Sequence, residues 1–311
     1  MLASCRSGAA SNVSAAEPTA GDTAAETAAG TLRQPVDELP LPDVPSTLRE
    51  PAARAAYIIE HFWDKMEFTD TVRSHNTDFV EQAFANFISI FPYAGAESQR
   101  TAVGTLMRRA EADSTAYVVL TEVAEKYLYE PNSPMLSEDY YILFLEQMVA
   151  SPVLGPYGTI RPRWQLEAAR KNRPGMKAAD FAFTTREGRR TTLHRMPSDG
   201  NMLLIFYDPD CDHCKEIIAS LCSDEVLNRM TSGGELTVVA VYSGDERELW
   251  SEHAPSLPAG WTVGYEPGDM QERGTYVLRA MPTLYLLDRN KKVILKDVLA
   301  EQLLYMLHGG Q

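Results

Sequence analysis

The residues best suited to chemistry in this 311-residue chain are Cys211 and Cys214, which enclose Asp212 and His213. Two thiols at this spacing suit thiol–disulfide exchange. One thiolate attacks a disulfide sulfur, and the second, one helical turn inward, resolves the mixed disulfide. The flanking pattern supports that placement. Residues 202–207 are a continuous apolar run, as expected of a central strand covered on both faces. Helical character follows over 211–230, so Cys211 falls at a helix N-terminus, where unpaired N–H groups and the helix dipole favour an anion. The thiolate is the reactive form, and this position favours it. Asp208, Asp210 and Asp212 stand against His213 around the same sulfur, and like charge disfavours ionisation. The direction of the net effect stays open, and with it the choice between oxidant, reductant and isomerase.

Other readings of the same residues are weaker. Zinc could draw on Cys211, His213, Cys214 and Cys222, but a structural site usually takes a second spaced pair. His213 also sits between two thiols in a tight turn, a poor start for a tetrahedron, so no metal is assigned. A purely structural dithiol is a second alternative. A peroxidase of the peroxiredoxin kind would want Thr three residues before its reactive cysteine, where this chain has Asp208. Cys222 lies eight residues beyond Cys214 on the expected helix, about 12 Å along its axis. That exceeds the roughly 7 Å Cα separation a disulfide tolerates, so Cys222 reads as a small buried apolar residue beside Ile218 and Leu221.

The elements that must hold the dithiol come after Pro174. Strands are expected at 181–185 and 191–193, a hairpin around Arg186-Glu187-Gly188-Arg189, then at 202–207, 236–242, 283–287 and 292–295. Helices are expected at 211–230, 246–254 and 298–307. This order gives an α/β sandwich with a mixed sheet. Upstream, helical periodicity recurs from Arg49, with Pro51 in a first turn. Further helices are expected at about 77–91, 96–110, 114–128, 137–150 and 163–171, before the breaker Arg173-Pro174-Gly175. His61, Trp63, Asp64 and Lys65 read as packing aromatics and solvated charges rather than as a site. The fold class is thus α+β multidomain. Residues 1–48 form a tether, 49–173 an all-helical domain, and 174–311 the α/β domain.

Ala179-Asp180-Phe181, the Cys211-Asp212-His213-Cys214 motif, Met281-Pro282-Thr283 and Leu286-Leu287-Asp288 together resemble the TlpA-like branch of the thioredoxin-like proteins, from Gly175 to the end. The resemblance implies a thioredoxin-like fold with Pro282 as a cis-proline facing the dithiol and Met281 contacting substrate. Catalysis then falls to Cys211 and Cys214, with no cofactor. Two departures stand out. Thioredoxins proper carry a buried Asp six residues before the first cysteine, where this chain has Ile205, so proton handling at Cys214 must differ. His213 in place of Pro resembles the oxidising DsbA relatives, which implies a redox-tuning role for His213 with Asp212 beside it. Upstream, His61-Phe62-Trp63-Asp64 and the stretch Tyr127 through Met135 resemble an uncharacterised helical domain that often precedes a thioredoxin-like domain in Gram-negative lipoproteins.

The remaining sequence bounds partners and location. Net charge is −14, which argues against nucleic acid. No apolar run reaches the roughly 20 residues of a membrane helix. Leu2-Ala3-Ser4-Cys5 resembles a bacterial lipobox with Cys5 as the lipidated residue, although only four residues precede it, as though the signal were truncated. The Ala-, Ser- and Thr-rich stretch that follows, then Pro35, Pro40, Pro42 and Pro45, reads as a spacer. The expectation is an envelope thiol–disulfide oxidoreductase, periplasmic-facing. It acts on protein thiols or disulfides with a separate redox partner, and membrane contact is limited to the Cys5 anchor. The competing expectation is a non-catalytic binding protein that uses the same fold as a scaffold.

Overall fold

The apolar run around Leu203 becomes an interior strand of a seven-stranded mixed sheet in the computed structural model, which describes residues 38–310. Cys5 and the first part of the expected tether lie outside the described residues. The strands are β1 (Ala182–Thr185), β2 (Arg190–Thr192), β3 (Asn201–Tyr207), β4 (Leu236–Ser243), β5 (Thr262–Glu266), β6 (Thr283–Leu287) and β7 (Val293–Leu295). Their order across the sheet is β2-β1-β5-β4-β3-β6-β7. β3 runs parallel to β4 and antiparallel to β6, with Ile205 opposite Ala240 and Leu284.

Alternate residues of β3 feed two separate cores. Leu203, Ile205 and Tyr207 face one with Leu221 and Leu303, while Met202, Leu204 and Phe206 face the other with Phe183 and Tyr276. Burial on both faces explains why β3 carries no polar alternation.

β5 was not expected from the sequence. It is five residues long and interrupted by Gly264, so its alternation is short. Gly264 is required by packing: a Cβ there would lie 2.4 Å from the Phe183 ring. The helix expected over 211–230 is two helices. Among the described residues, the helices longer than one turn are, in chain order, α1 (Pro51–His61), α2 (Thr77–Ser89), α3 (Ala96–Ala110), α4 (Ser114–Leu128), α5 (Glu138–Ala150), α6 (Ile160–Ala169), α7 (Asp212–Ser223), α8 (Glu225–Ser232), α9 (Arg247–His253) and α10 (Ala300–Leu307). Asp224 ends α7 in extended conformation and caps α8, accepting the Leu227 N–H at 2.8 Å. An Asp competes with the helix for backbone donors, and a periodicity reading does not register that competition.

The helices α1 to α5 enclose a core of aromatic side chains, including Phe62, Phe84, Phe87, Phe91, Tyr117 and Phe144, all at most 2% exposed. Asn76, Asp113 and Ser137 cap α2, α4 and α5 through their side chains. Trp63 belongs to this core, and His61 bonds Asp64 at 2.7 Å, which in turn pairs with Arg109 at 2.9 Å. Leu39 is also buried in it, and Lys65 donates to the Leu41 carbonyl at 3.0 Å. This end of the expected tether therefore packs on the helices.

Residues 38–310 belong to one compact unit. The helices meet the sheet through hydrogen bonds as well as through chain continuity. Lys171 and Asn172 donate to the Gly274 and Thr275 carbonyls at 2.8 Å each, and Asn172 also accepts the Ala179 N–H at 2.7 Å. Asn172 takes a left-handed φ of 54°, a conformation Asn tolerates better than most residues.

Candidate active site: a dithiol at a helix start

β3 ends at Tyr207, and the chain must turn before α7 begins. Asp208 makes the turn: its carboxylate accepts the Asp210 N–H at 2.9 Å and its carbonyl accepts the Cys211 N–H at 3.2 Å. Cys211 is then the N-cap of α7. Its Sγ accepts the Cys214 N–H at 3.2 Å, the role a Ser or Asp oxygen usually plays. A backbone N–H aimed at sulfur stabilises a thiolate at the moment it forms.

The opposite side of Cys211 is the loop before β6. The Met281–Pro282 peptide is cis, and the Cys211 thiol donates to the Met281 carbonyl at 3.8 Å. Thr283 closes this loop by donating its hydroxyl to the Ala280 carbonyl at 2.6 Å. The four residues Cys211, Cys214, Met281 and Pro282, which are distant in sequence, are thus brought to one end of the sheet.

The two thiols differ in environment. Cys211 is partly exposed and Cys214 is buried, and neither is in a disulfide. Burial pushes the Cys214 thiol up to about 12. The Asp208 N–H at 3.5 Å opposes that shift, and Cys211 adds to it. Ile205, in the position where thioredoxins proper carry a carboxylate, is fully buried in the core that also holds Cys214, so it gives this sulfur no acidic neighbour. Beside Cys214 lies a cavity of about 260 Å³ whose walls include Tyr207, Pro209, Ile218, Cys222 and Leu257. Cys222 is partly exposed there, more open than its expected role, and burial raises its thiol above the usual value.

Asp212 and His213 each have a side-chain neighbour of their own. Asp212 accepts from Lys215 at 3.0 Å, and His213 Nδ1 lies 3.8 Å from Glu216. His213 is largely solvent-exposed, with 66% of its side chain accessible. Glu216 and Lys215 were missing from the sequence reading, although their spacing at i+3 on a helix start is a legible signal. Arg279 was also missed. It sits two residues ahead of Met281, and nothing in the local pattern marks it.

A dithiol capping the helix after an interior strand, opposite a cis-prolyl loop, defines a thioredoxin-like protein. The chain belongs to the family described as a domain of unknown function, DUF5106, whose model matches residues 8–172. It is similar to a thioredoxin-like protein from Bacteroides caccae at 34% identity and a TM-score of 0.80, over 88% of this chain and 99% of that one. That span takes in both the helices and the sheet. A conserved protein of unknown function from Bacteroides fragilis is 40% identical over 43% of this chain and 98% of its own, with a TM-score of 0.42. No curated protein matches the sequence.

Proposed function

We propose that this protein is a thiol–disulfide oxidoreductase acting on protein disulfides or thiols, after the manner of the TlpA-like branch. The observation that carries this reading is the position of Cys211 Sγ, which caps α7 on the Cys214 N–H and faces the Met281 carbonyl. In the reducing direction the Cys211 thiolate attacks one sulfur of a substrate disulfide and expels the other as a thiolate. The Cys214 sulfur then attacks Cys211 Sγ, its proton passes to the departing thiolate, and a Cys211–Cys214 disulfide forms. One substrate sulfur leaves as a thiol and the other as a thiolate that takes its proton from water, two electrons having passed from the dithiol. A separate redox partner restores the thiols by the reverse exchange. In the oxidising direction the same bonds form and break in reverse order.

Met281 and Pro282 hold the substrate chain in this reading, and His213 with Asp212 tunes the attacking sulfur. Lys215 and Glu216 lie beside these two tuning residues, one turn further along α7. The reaction takes place in the bacterial cell envelope, on its periplasmic face, with the chain anchored through a lipid on Cys5. Metabolic fatty-acid labelling should be lost in Cys5→Ser; labelling that persists contradicts the anchor.

The test of the reaction is insulin reduction with dithiothreitol as the electron source. Cys211→Ser should abolish turnover, and Cys214→Ser should accumulate mixed disulfides that thiols release. Wild-type turnover in the Cys211→Ser variant would overturn the mechanism.

A further inference from the structure

We propose that the helical domain is a positioning device for the substrate loop, acting through Arg279. This inference rests on the redox reading above and assigns a task to the DUF5106 portion. Arg279 begins the loop that carries Met281 and Pro282, yet its side chain is bound by the helices. Its guanidinium lies over the Tyr129 ring at 4.5 Å from the centroid and donates to the Tyr129 carbonyl at 3.3 Å. It also donates to Asp297 at 2.5 Å and lies 4.0 Å from Glu138 of α5. Lys296 donates to the other Glu138 oxygen at 2.5 Å.

The four charges of this cluster balance, two acids against two bases, and each side chain is less than one-fifth exposed. One acid, Glu138, comes from the helices, and the other three members come from the segments flanking β6 and β7. A buried cluster of this kind becomes costly when one member leaves, which gives it a defined geometry. Asp297 adopts a left-handed φ of 51°, and Val298 next to it donates to the Leu284 carbonyl at 3.2 Å. The Arg279 side chain is therefore gripped from the helices on one side and from the turn after β7 on the other. Two residues further on is the carbonyl that faces Cys211.

The guanidinium suits this place because a flat cation can stack on an aromatic face while its N–H groups fan out in plane to a carbonyl and a carboxylate. A Lys ammonium keeps the charge but cannot satisfy the three contacts together. Displacing the loop by a fraction of an ångström should weaken docking of the substrate chain and leave the chemistry of the dithiol in place.

The experiment compares full-length wild type, Arg279→Met, Arg279→Lys, Glu138→Gln and Tyr129→Leu in insulin reduction, with thermal melting as the check on folding. In Arg279→Met, KM for insulin should rise about tenfold with kcat within about twofold of wild type. Arg279→Lys should recover part of that loss, and Glu138→Gln and Tyr129→Leu, from the helical side, should raise KM in the same sense. Tyr129→Leu keeps every charge, so it carries the test if Arg279→Met fails to fold. Folded, active variants with wild-type KM would overturn the positioning role and leave the redox reading standing. Wild-type protein that reduces neither insulin nor a small disulfide would overturn the redox reading, and the positioning role with it.

Discussion

Cys211 and Cys214 are separated by a single helical turn and by a large difference in surroundings. Cys211 stands at the helix start with a backbone N–H on its sulfur, while Cys214 is embedded beside Ile205 with an elevated thiol. This asymmetry divides the roles between an attacking and a resolving sulfur, and it has a pH signature. A thiol with an unfolded value of 9.0 that rises to about 12 on folding keeps its proton in the native state while the unfolded chain loses it. Between those two values the unfolded state binds fewer protons, so stability declines as pH rises. The contribution from Cys214 is fully present below about pH 9 and is lost toward about pH 12. Urea midpoints of reduced wild type and Cys214→Ala, measured from about pH 8 to about pH 11, should diverge in slope, with wild type falling more steeply. Parallel slopes would contradict the burial argument for this thiol.

At the scale of elements, two residues decide how the site is supported. Asp224 separates α7 from α8 by capping the second, and its carboxylate also bonds His308 of the C-terminal segment at 2.8 Å. Asp224→Ala should lower stability by about 1 kcal/mol in chemical denaturation through loss of the cap. Insulin reduction should be unaffected, since the α7 start is untouched. Gly264 lets β5 lie under the Phe183 ring. Gly264→Ala puts a methyl against a buried aromatic and should cost about 1 to 3 kcal/mol by overpacking, measured as a lower denaturation midpoint. An unchanged midpoint would mean the β1–β5 contact has slack that the geometry denies.

Across the whole molecule, the helices and the sheet share more than a linker. Lys171 and Asn172 reach the connection between β5 and β6, and Glu138 and Tyr129 meet the segments flanking β6 and β7. Calorimetry of the full chain should therefore show one cooperative transition across both portions. Two resolved transitions would mean that the polar interface is too weak to couple them, as is common between loosely joined domains.

The site was legible where chemistry and local pattern coincide. Cys211 and Cys214 next to the apolar run of β3 pointed to a helix-capping dithiol, and the Met281-Pro282-Thr283 motif carried the resemblance that implied a facing loop. Most helix positions followed from apolar spacing, because that spacing is the local record of a buried face. The break at Asp224 and the strand around Gly264 were less legible: the first depends on competition for a few backbone donors, the second on a neighbour's ring.

Residue order by itself determined the class of chemistry available, the alternation of strands and helices in the C-terminal part and the presence of a helical portion ahead of it. The tertiary structure alone decided that Cys214 is buried and that Arg279 is held by Tyr129, Asp297 and Glu138. The physical reason is range. Helix capping and apolar periodicity act over three or four residues, whereas the burial of a thiol and the balance of a charge cluster depend on groups about 20 to 160 positions apart that meet only when the chain has folded.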